Sequence, residues 1–251
     1  MQLSKLLQEL DSLLAPHKVK DFSPNGLQVE GKDTVNKIIT GVTASQALID
    51  AAIEKNADAI LVHHGYFWKG EAYPITGMKK RRIGALIKND ISLIGYHLPI
   101  DVHPTLGNNA KLAELLDIDY EAGLDPYSEP SIAVKGRLKT PLTAEEFADK
   151  IESALNRKPL VESVRGKKIE TIAWCTGGGQ GYIDLAASQG IDAYLTGEAS
   201  EQTIHSAREQ NIDFFAAGHH ATERYGVKAV GEYLAEQFGL DVEFIDIDNP
   251  V

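Results

Sequence analysis

The sequence predicts an α/β protein built from two similar domains related by internal duplication, with a metal site between them at the carboxyl ends of strands. Three observations carry this. Short apolar runs alternate with helical patterns along the whole chain, as in βαβ units. A helix-and-strand pattern of the first half recurs in the second. Strands in both halves run out into histidines and carboxylates, where open α/β sheets bind ligands.

Leu3, Leu6, Leu7, Leu10, Leu13 and Leu14 follow helical spacing, and Pro16 ends that helix. Asp21 to Gly26 form a turn cluster, and a short strand follows around Leu27 and Val29. Ile38 to Val42 read as a strand, and Thr43 or Ser45 caps a helix running to about Lys55. The next strand, Ala59-Ile60-Leu61-Val62, ends in His63-His64-Gly65. Side chains alternate along a strand, but that alternation relaxes where the strand leaves its sheet, so two imidazoles can converge there. A helix over Met78 to Lys88 leads to the strand Ile91 to Tyr96, which ends in His97. A loop from Leu98 to Asp101 and a helix over Asn109 to Leu116 complete the half. Acidic residues among Gly123, Pro126 and Pro130 place a domain boundary near residue 122, giving domains 1–122 and 123–251.

In the second half, Ile132 to Leu138 read as a strand, and Thr143 with Glu146 forms a capping box. Strand Ile169 to Cys175 runs into Thr176-Gly177-Gly178-Gly179-Gln180-Gly181, either a backbone cradle for an anion or a plain βα turn. A short helix, the strand Ala193 to Leu195 before Thr196-Gly197-Glu198, and a helix over Ser200 to Gln210 follow. Strand Ile212 to Ala217 leads to Gly218-His219-His220-Ala221-Thr222-Glu223, a helix to about Phe238, and a last strand over Val242 to Ile247.

At an offset of 134 residues, Ile49, Asp50, Ala52, Asp58, Ala59 and Leu61 match Ile183, Asp184, Ala186, Asp192, Ala193 and Leu195. His64 then corresponds to Glu198. At an offset of 122, His97 and Asp101 fall on His219 and Glu223, so His-x-x-x-carboxylate follows an apolar strand twice. Residues four apart share a helix face and can reach one ion.

The pool of donors is His63, His64, His97, Asp101, His219 and Glu223, with Glu198 in reserve. Imidazole and carboxylate without thiolate suit Zn, Mn, Fe or Ni. Five or six such donors are enough for two divalent metal ions, and hydrolysis is the chemistry they imply. Glu223 and His97 are the candidates for moving protons. Tyr66-Phe67-Trp68 offer stacking surface or an interface.

Composition limits the alternatives. The 251 residues suffice for a real core, and 43% hydrophobic with 24% charged residues is ordinary for a globular protein. No apolar run approaches bilayer length, and the amino-terminal helix carries Glu9 and Asp11, unlike a signal peptide. The single cysteine, Cys175, fits a cytoplasmic protein. A net charge of −11 disfavours nucleic acid unless the basic run Lys79 to Arg82 lines a channel.

The stretches ILVHHGYFWKG, YHLPIDVHPTLGNN, GHHATERYGV and PNGLQV resemble the dinuclear-metal-centre family of GTP cyclohydrolase 1 type 2 homologues over essentially the whole chain. The resemblance implies two similar α/β domains, a toroidal homohexamer and two divalent ions per subunit. It implies His63, His64, Asp101, His219 and Glu223 as ligands and His97 as an active-site neighbour. His220 stands where many relatives carry an aromatic. The expected function is metal-dependent hydrolysis of a purine nucleotide. A metal-dependent phosphoesterase, or a non-enzymatic ring-shaped scaffold or DNA-associated factor, is the alternative.

Overall fold

A computed structural model describes residues 1–251. The chain divides into two compact units. The first comprises Met1–Ile100 with Gly226–Asp248, the second Asp101–Tyr225 with Asn249–Val251. No helix is long and apolar enough to cross a membrane.

Helix α1 (Leu3–Leu14) buries Leu3, Leu6, Leu10 and Leu14 and ends at Ala15 in the left-handed conformation. Strands β1 (Gly26–Val29) and β2 (Lys37–Thr43) follow. Helix α2 (Gln46–Glu54) is capped by Ser45, whose side chain accepts from the Leu48 N–H. Strand β3 (Ala59–His64) is buried along its whole apolar run, as its unbroken hydrophobicity predicts. Helix α3 (Gly77–Lys88) carries the basic run, where Lys79 pairs with Glu71 at 3.1 Å. Strand β4 (Ser92–Gly95) leads to helix α4 (Leu98–Val102), a single turn where the sequence suggests a loop.

Helix α5 (Asn108–Leu115) precedes strand β5 (Ile118–Gly123), which the sequence reading misses. Asp119, Tyr120 and Glu121 are exposed on it, so an edge strand reads as an acidic linker, and the boundary expected at residue 122 falls inside it. Strand β6 (Val134–Leu142) and helix α6 (Ala144–Leu155) follow, the latter with the expected Thr143–Glu146 capping box. Then come β7 (Leu160–Glu162), β8 (Ile169–Cys175), α7 (Ile183–Ser188), β9 (Ala193–Thr196), α8 (Glu201–Gln210) and β10 (Asp213–Ala216). Helix α9 (His219–Phe238) begins in the second unit and ends in the first, where β11 (Asp241–Phe244) follows.

The first unit's sheet has the order β1-β4-β3-β2-β11, the second unit's β5-β6-β8-β9-β10-β7. The duplication is explicit in these ladders. The parallel trio β2-β3-β4 repeats as β8-β9-β10, and an antiparallel edge strand, β1 or β7, flanks the last member of each. Ile38 lies opposite Ala59 and Ile172 opposite Ala193, the offset of 134 in both members of each pair. The third strands differ: Ala59 faces Ser92 and Ala193 faces Asp213, an offset of 121. His97 and His219 are therefore not register equivalents. The second unit inserts one residue after its third strand before presenting its histidine.

Candidate metal centre

In the first unit, β3 delivers His63 and His64 at its carboxyl end, and the turn after β4 delivers His97. The ring centroids of His63 and His64 lie 4.5 Å apart although the residues are chain neighbours, so the alternation does relax there. His97 lies 5.0 Å from His63 and 5.6 Å from His64. One ring nitrogen of each comes within 4.8 Å of the other two.

Each imidazole is held through Nδ1. His63, 1% exposed, donates Nδ1–H to the Tyr96 carbonyl at 3.2 Å, because a carbonyl can only accept. His64 Nδ1 meets the Thr43 hydroxyl at 3.2 Å, and Thr43 lies opposite His64 in the β2–β3 ladder. His97 Nδ1 lies 2.7 Å from Asp21 Oδ1, and its backbone N–H donates to Asn25 Oδ1 at 2.8 Å. Burial alone would raise the Asp21 carboxyl. The His97 imidazole, the Asn25 amide and the Phe22 N–H outweigh it and bring the carboxyl down to about 2. A carbonyl or carboxylate on Nδ1 places a proton on that nitrogen, and an oxygen behind Nδ1 is the backing that a metal-ligating imidazole uses.

The second unit supplies Asp101 from α4 and His219 and Glu223 from the first turns of α9. Asp101, 4% exposed, accepts from Asn108 Nδ2 at 2.8 Å and from the Thr176 hydroxyl at 3.2 Å. His219 Nδ1 lies 2.7 Å from Glu198 Oε1, and His219 Nε2 lies 3.2 Å from Glu223 Oε2. Glu223 is 2% exposed, and one of its oxygens comes within 4.8 Å of one of Asp101. Burial would lower the His219 imidazole, yet the Glu223 and Glu198 carboxylates push it up to about 9. Gly177 makes room for this cluster. Its φ is +65°, and a Cβ there would overlap Glu223 Oε1 and lie 3.0 Å from His219 Nε2.

The donor chemistry fits divalent cations. Two buried carboxylates so close together repel unless positive charge is placed among them. Imidazoles backed through Nδ1 are the usual partners of such an ion.

The Duf34/NIF3 (NGG1p interacting factor 3) family matches residues 1–250. The chain belongs to this family. Among its relatives, a Haemophilus influenzae protein named GTP cyclohydrolase 1 type 2 homolog is 63% identical over 98% of each chain. A Vibrio cholerae protein of the same name is 60% identical over 100% of this chain and 99% of its own. Of solved structures, protein ybgI, described as of unknown function, superposes with a TM-score of 0.97 at 54% identity, covering both chains fully. A Thermus thermophilus protein gives 0.89 at 34%, again over both full chains.

Within this Duf34/NIF3 chain, the structure departs from the sequence reading in several places. The loop from Thr176 to Gly181 spends three of its amides internally: Thr176 N–H on Asn109 Oδ1, Gly177 N–H on the Thr222 hydroxyl and Gly179 N–H on the Thr196 hydroxyl. Its Gly177 makes room for Glu223. Glu198 stands behind His219. Tyr66 is buried with its hydroxyl on the Ala44 carbonyl, whereas Trp68 packs edge-on against His97 at 4.8 Å. Cys175 is buried, and its thiol is pushed well above the usual range by burial and by Asp101 and Glu223. Asp21, Thr43, Asn108 and Thr176 escaped the sequence reading. Asn108 lies within the quoted stretch YHLPIDVHPTLGNN, Thr43 and Thr176 carry no local signal beyond being short polar residues at strand ends, and Asp21 lies in the turn before β1.

Proposed function

We propose that the protein carries a dinuclear centre of divalent metal ions and is a metal-dependent hydrolase of a purine nucleotide, of the GTP cyclohydrolase type. The ligands are His63, His64, Asp101, His219 and Glu223. The observation that carries this is the support of Nδ1: His63, His64 and His219 each rest it on an oxygen, the backing that a metal-ligating imidazole uses. Family membership adds weight, since close relatives bear the cyclohydrolase name.

A pair of divalent ions, when bound, lowers the pKa of water and stabilises negative charge developing on oxygen. The chain's residues do the rest. Glu198 orients His219, Asn108 and Thr176 orient Asp101, and Glu223 offers two oxygens and takes up a proton. Trp68, beside the first unit's imidazoles, is the surface on which a purine can stack. Exposed Phe22, Tyr73 and Met78 on the first unit support assembly into a homohexamer.

Elemental analysis after reloading with Zn²⁺ or Mn²⁺ is expected to give about two equivalents per chain, in keeping with two-metal sites. Turnover of GTP, followed by mass spectrometry, is expected to release formate. Release of inorganic phosphate instead assigns the site to phosphoester hydrolysis, and uptake of one ion or none refutes the dinuclear centre.

A further inference from the structure

We infer that Lys79 is a positioning residue for the substrate's purine: it locks the turn from Tyr66 to Trp68, and with it the indole beside the first unit's imidazoles. The inference rests on the purine reading above and deepens it, because it names what fixes the stacking surface.

Lys79 belongs to the basic run, yet its charge is spent inside the chain. Lys80 and Arg81 beside it are exposed, whereas the Lys79 side chain is only 13% exposed. Its ammonium donates to the Ala72 carbonyl at 3.0 Å, pairs with Glu71 Oε1 at 3.1 Å and lies over the Phe67 ring, 4.9 Å from its centre. A cation in that place is attracted by the electron-rich face of the ring. All three partners belong to the loop between β3 and α3.

That loop holds a conformation that costs free energy. Phe67 has φ of +65°, in the left-handed region that a bulky L-residue rarely adopts. Strain of this kind persists only where surrounding contacts over-determine it, and it gathers at ligand clamps. Here the contacts lie on both sides of the strained residue. Before it, the Tyr66 N–H donates to Gln28 Oε1 at 2.7 Å. After it, the Trp68 N–H donates to Glu71 Oε2 at 3.0 Å, and the Trp68 carbonyl accepts the Glu71 N–H at 2.9 Å. Trp68 Nε1–H donates to the Gly65 carbonyl at 3.1 Å, which fixes the rotation of the indole. The half-buried indole thus turns back on the strand end, 4.8 Å from His97 and 5.9 Å from His64. Lys79 couples these parts. It neutralises the carboxylate that holds Trp68, and it covers the ring of the strained residue. A stacking surface ordered beforehand loses little side-chain freedom when a base arrives, so the lock adds affinity.

The test uses the full chain, metal-free and reloaded with Zn²⁺, with GMP as the probe and Trp68 fluorescence as the readout. The second indole of the chain, Trp174, is fully buried, and Trp68→Phe assigns the signal: the quenching by GMP expected in wild type is expected to vanish there. Lys79→Met keeps most of the stem and removes the charge. It is expected to weaken GMP binding about tenfold, within the range of one base–aromatic stack, and to shift the Trp68 emission to longer wavelength before any GMP is added. Lys79→Arg restores a cation over the Phe67 ring and is expected to recover part of both. Zn²⁺ uptake by Lys79→Met is expected to equal that of wild type, so that the loss is one of base binding and not of metal. Should Lys79→Met fail to fold by circular dichroism, Glu71→Gln takes its place, since it breaks the ion pair yet keeps an oxygen for the Trp68 N–H. It is expected to weaken GMP binding in the same direction. Wild-type affinity for GMP in the folded variant overturns the inference and leaves the purine reading standing. A wild-type protein whose fluorescence GMP does not quench, with or without Zn²⁺, overturns both.

Discussion

Thr43 and Gly177 are equivalents at the offset of 134 residues, and they do opposite things. In the first unit, the Thr43 hydroxyl backs His64 across the β2–β3 ladder. In the second, Gly177 contributes no side chain, and the space is filled by Glu223 and His219 arriving from α9. The duplicated frame thus supplies candidate metal donors in two ways. One unit takes them from its own strand ends and props them with a neighbouring strand. The other empties the corresponding position and brings donors in from the following helix. A repeat can diverge at its ligands while its backbone clamps stay fixed, because the clamps hold strands and the ligands only need space.

Exchanging these two positions produces the largest effects. Gly177→Ala meets a left-handed backbone, costing about 1–3 kcal/mol, and drives a methyl group into Glu223. The expected outcome is loss of one ion and a lower melting temperature, read by elemental analysis and calorimetry. Thr43→Gly is expected to keep the fold at a cost of about 0.5–1 kcal/mol while weakening one ion about tenfold, by loss of the hydroxyl behind His64. If Gly177→Ala binds both ions as wild type does, the space argument fails.

Proton competition distinguishes the units next. His219 lies between two carboxylates and, without metal, holds its proton up to about pH 9. His63 and His64 rest on a neutral carbonyl and a neutral hydroxyl. An ion that takes His219 must expel that proton, so its apparent affinity is expected to climb about tenfold per pH unit up to about 9. The sign for folding is opposite. Stability from charged His219 is fully present below its ordinary value of 6.5 and is lost as pH rises through about 9. Metal-free protein is therefore expected to melt higher at about pH 6 than at about pH 10. Calorimetry in buffers of different ionisation enthalpy counts the proton. Equal proton release for both ions would erase this difference.

Much of this was legible in residues. The twin histidines, the third histidine and the His-x-x-x-Glu pair ended apolar runs, and local sequence is enough to find strand ends. The duplication was visible because Asp58 and Asp192 must stand where they do. What stayed hidden depended on long-range pairing. Asp21 meets His97 across 76 residues, and Thr176 meets Asp101 across 75, separations over which no local periodicity operates. Strand β5 was hidden by exposure, since its acidic face reads as linker, and β7 by its three residues. The one-residue insertion before His219 shows the limit of ungapped matching. The offset of 122 aligned the histidines, whereas the ladder aligns their strands at 121.

The clamps shared by both units give a smaller, symmetrical effect. Asp58 Oδ2 accepts from the Asn36 and Lys37 amides at 2.9 and 3.1 Å, with Lys32 on Oδ1. Asp192 Oδ2 accepts from the Glu170 and Thr171 amides at 3.0 and 2.9 Å, with Arg165 on Oδ1. Alanine at either position leaves two strand-start amides without their acceptor and is expected to cost about 1–3 kcal/mol. Asparagine keeps one acceptor and is expected to restore most of it. Burial would raise both carboxyls, but these hydrogen bonds and the paired cations hold them below 3.8. Their contribution is thus present above that value and fades as pH falls beneath it. Denaturant titration of the four variants checks the pair, and a neutral Asp192→Ala would confine the clamp to the first unit.

His220→Ala is expected to do least. His219 opens α9, and its Nε2 faces Glu223 one turn on. Successive residues of a helix are turned by about 100°, so His220 faces a different direction from the ligand pair. It belongs to none of the groups of converging donors. Its backbone N–H donates to the Val251 carbonyl at 2.9 Å, a bond that alanine retains. Metal stoichiometry is expected to be unchanged, with a melting shift worth about 1 kcal/mol from the lost side chain. Glu223→Gln is the contrast, because it removes a buried charge that the proposed pair of cations would need and is expected to release one of them. If Glu223→Gln keeps both ions while His220→Ala loses one, the helix presents its donors one residue later than the arrangement of His219 and Glu223 implies.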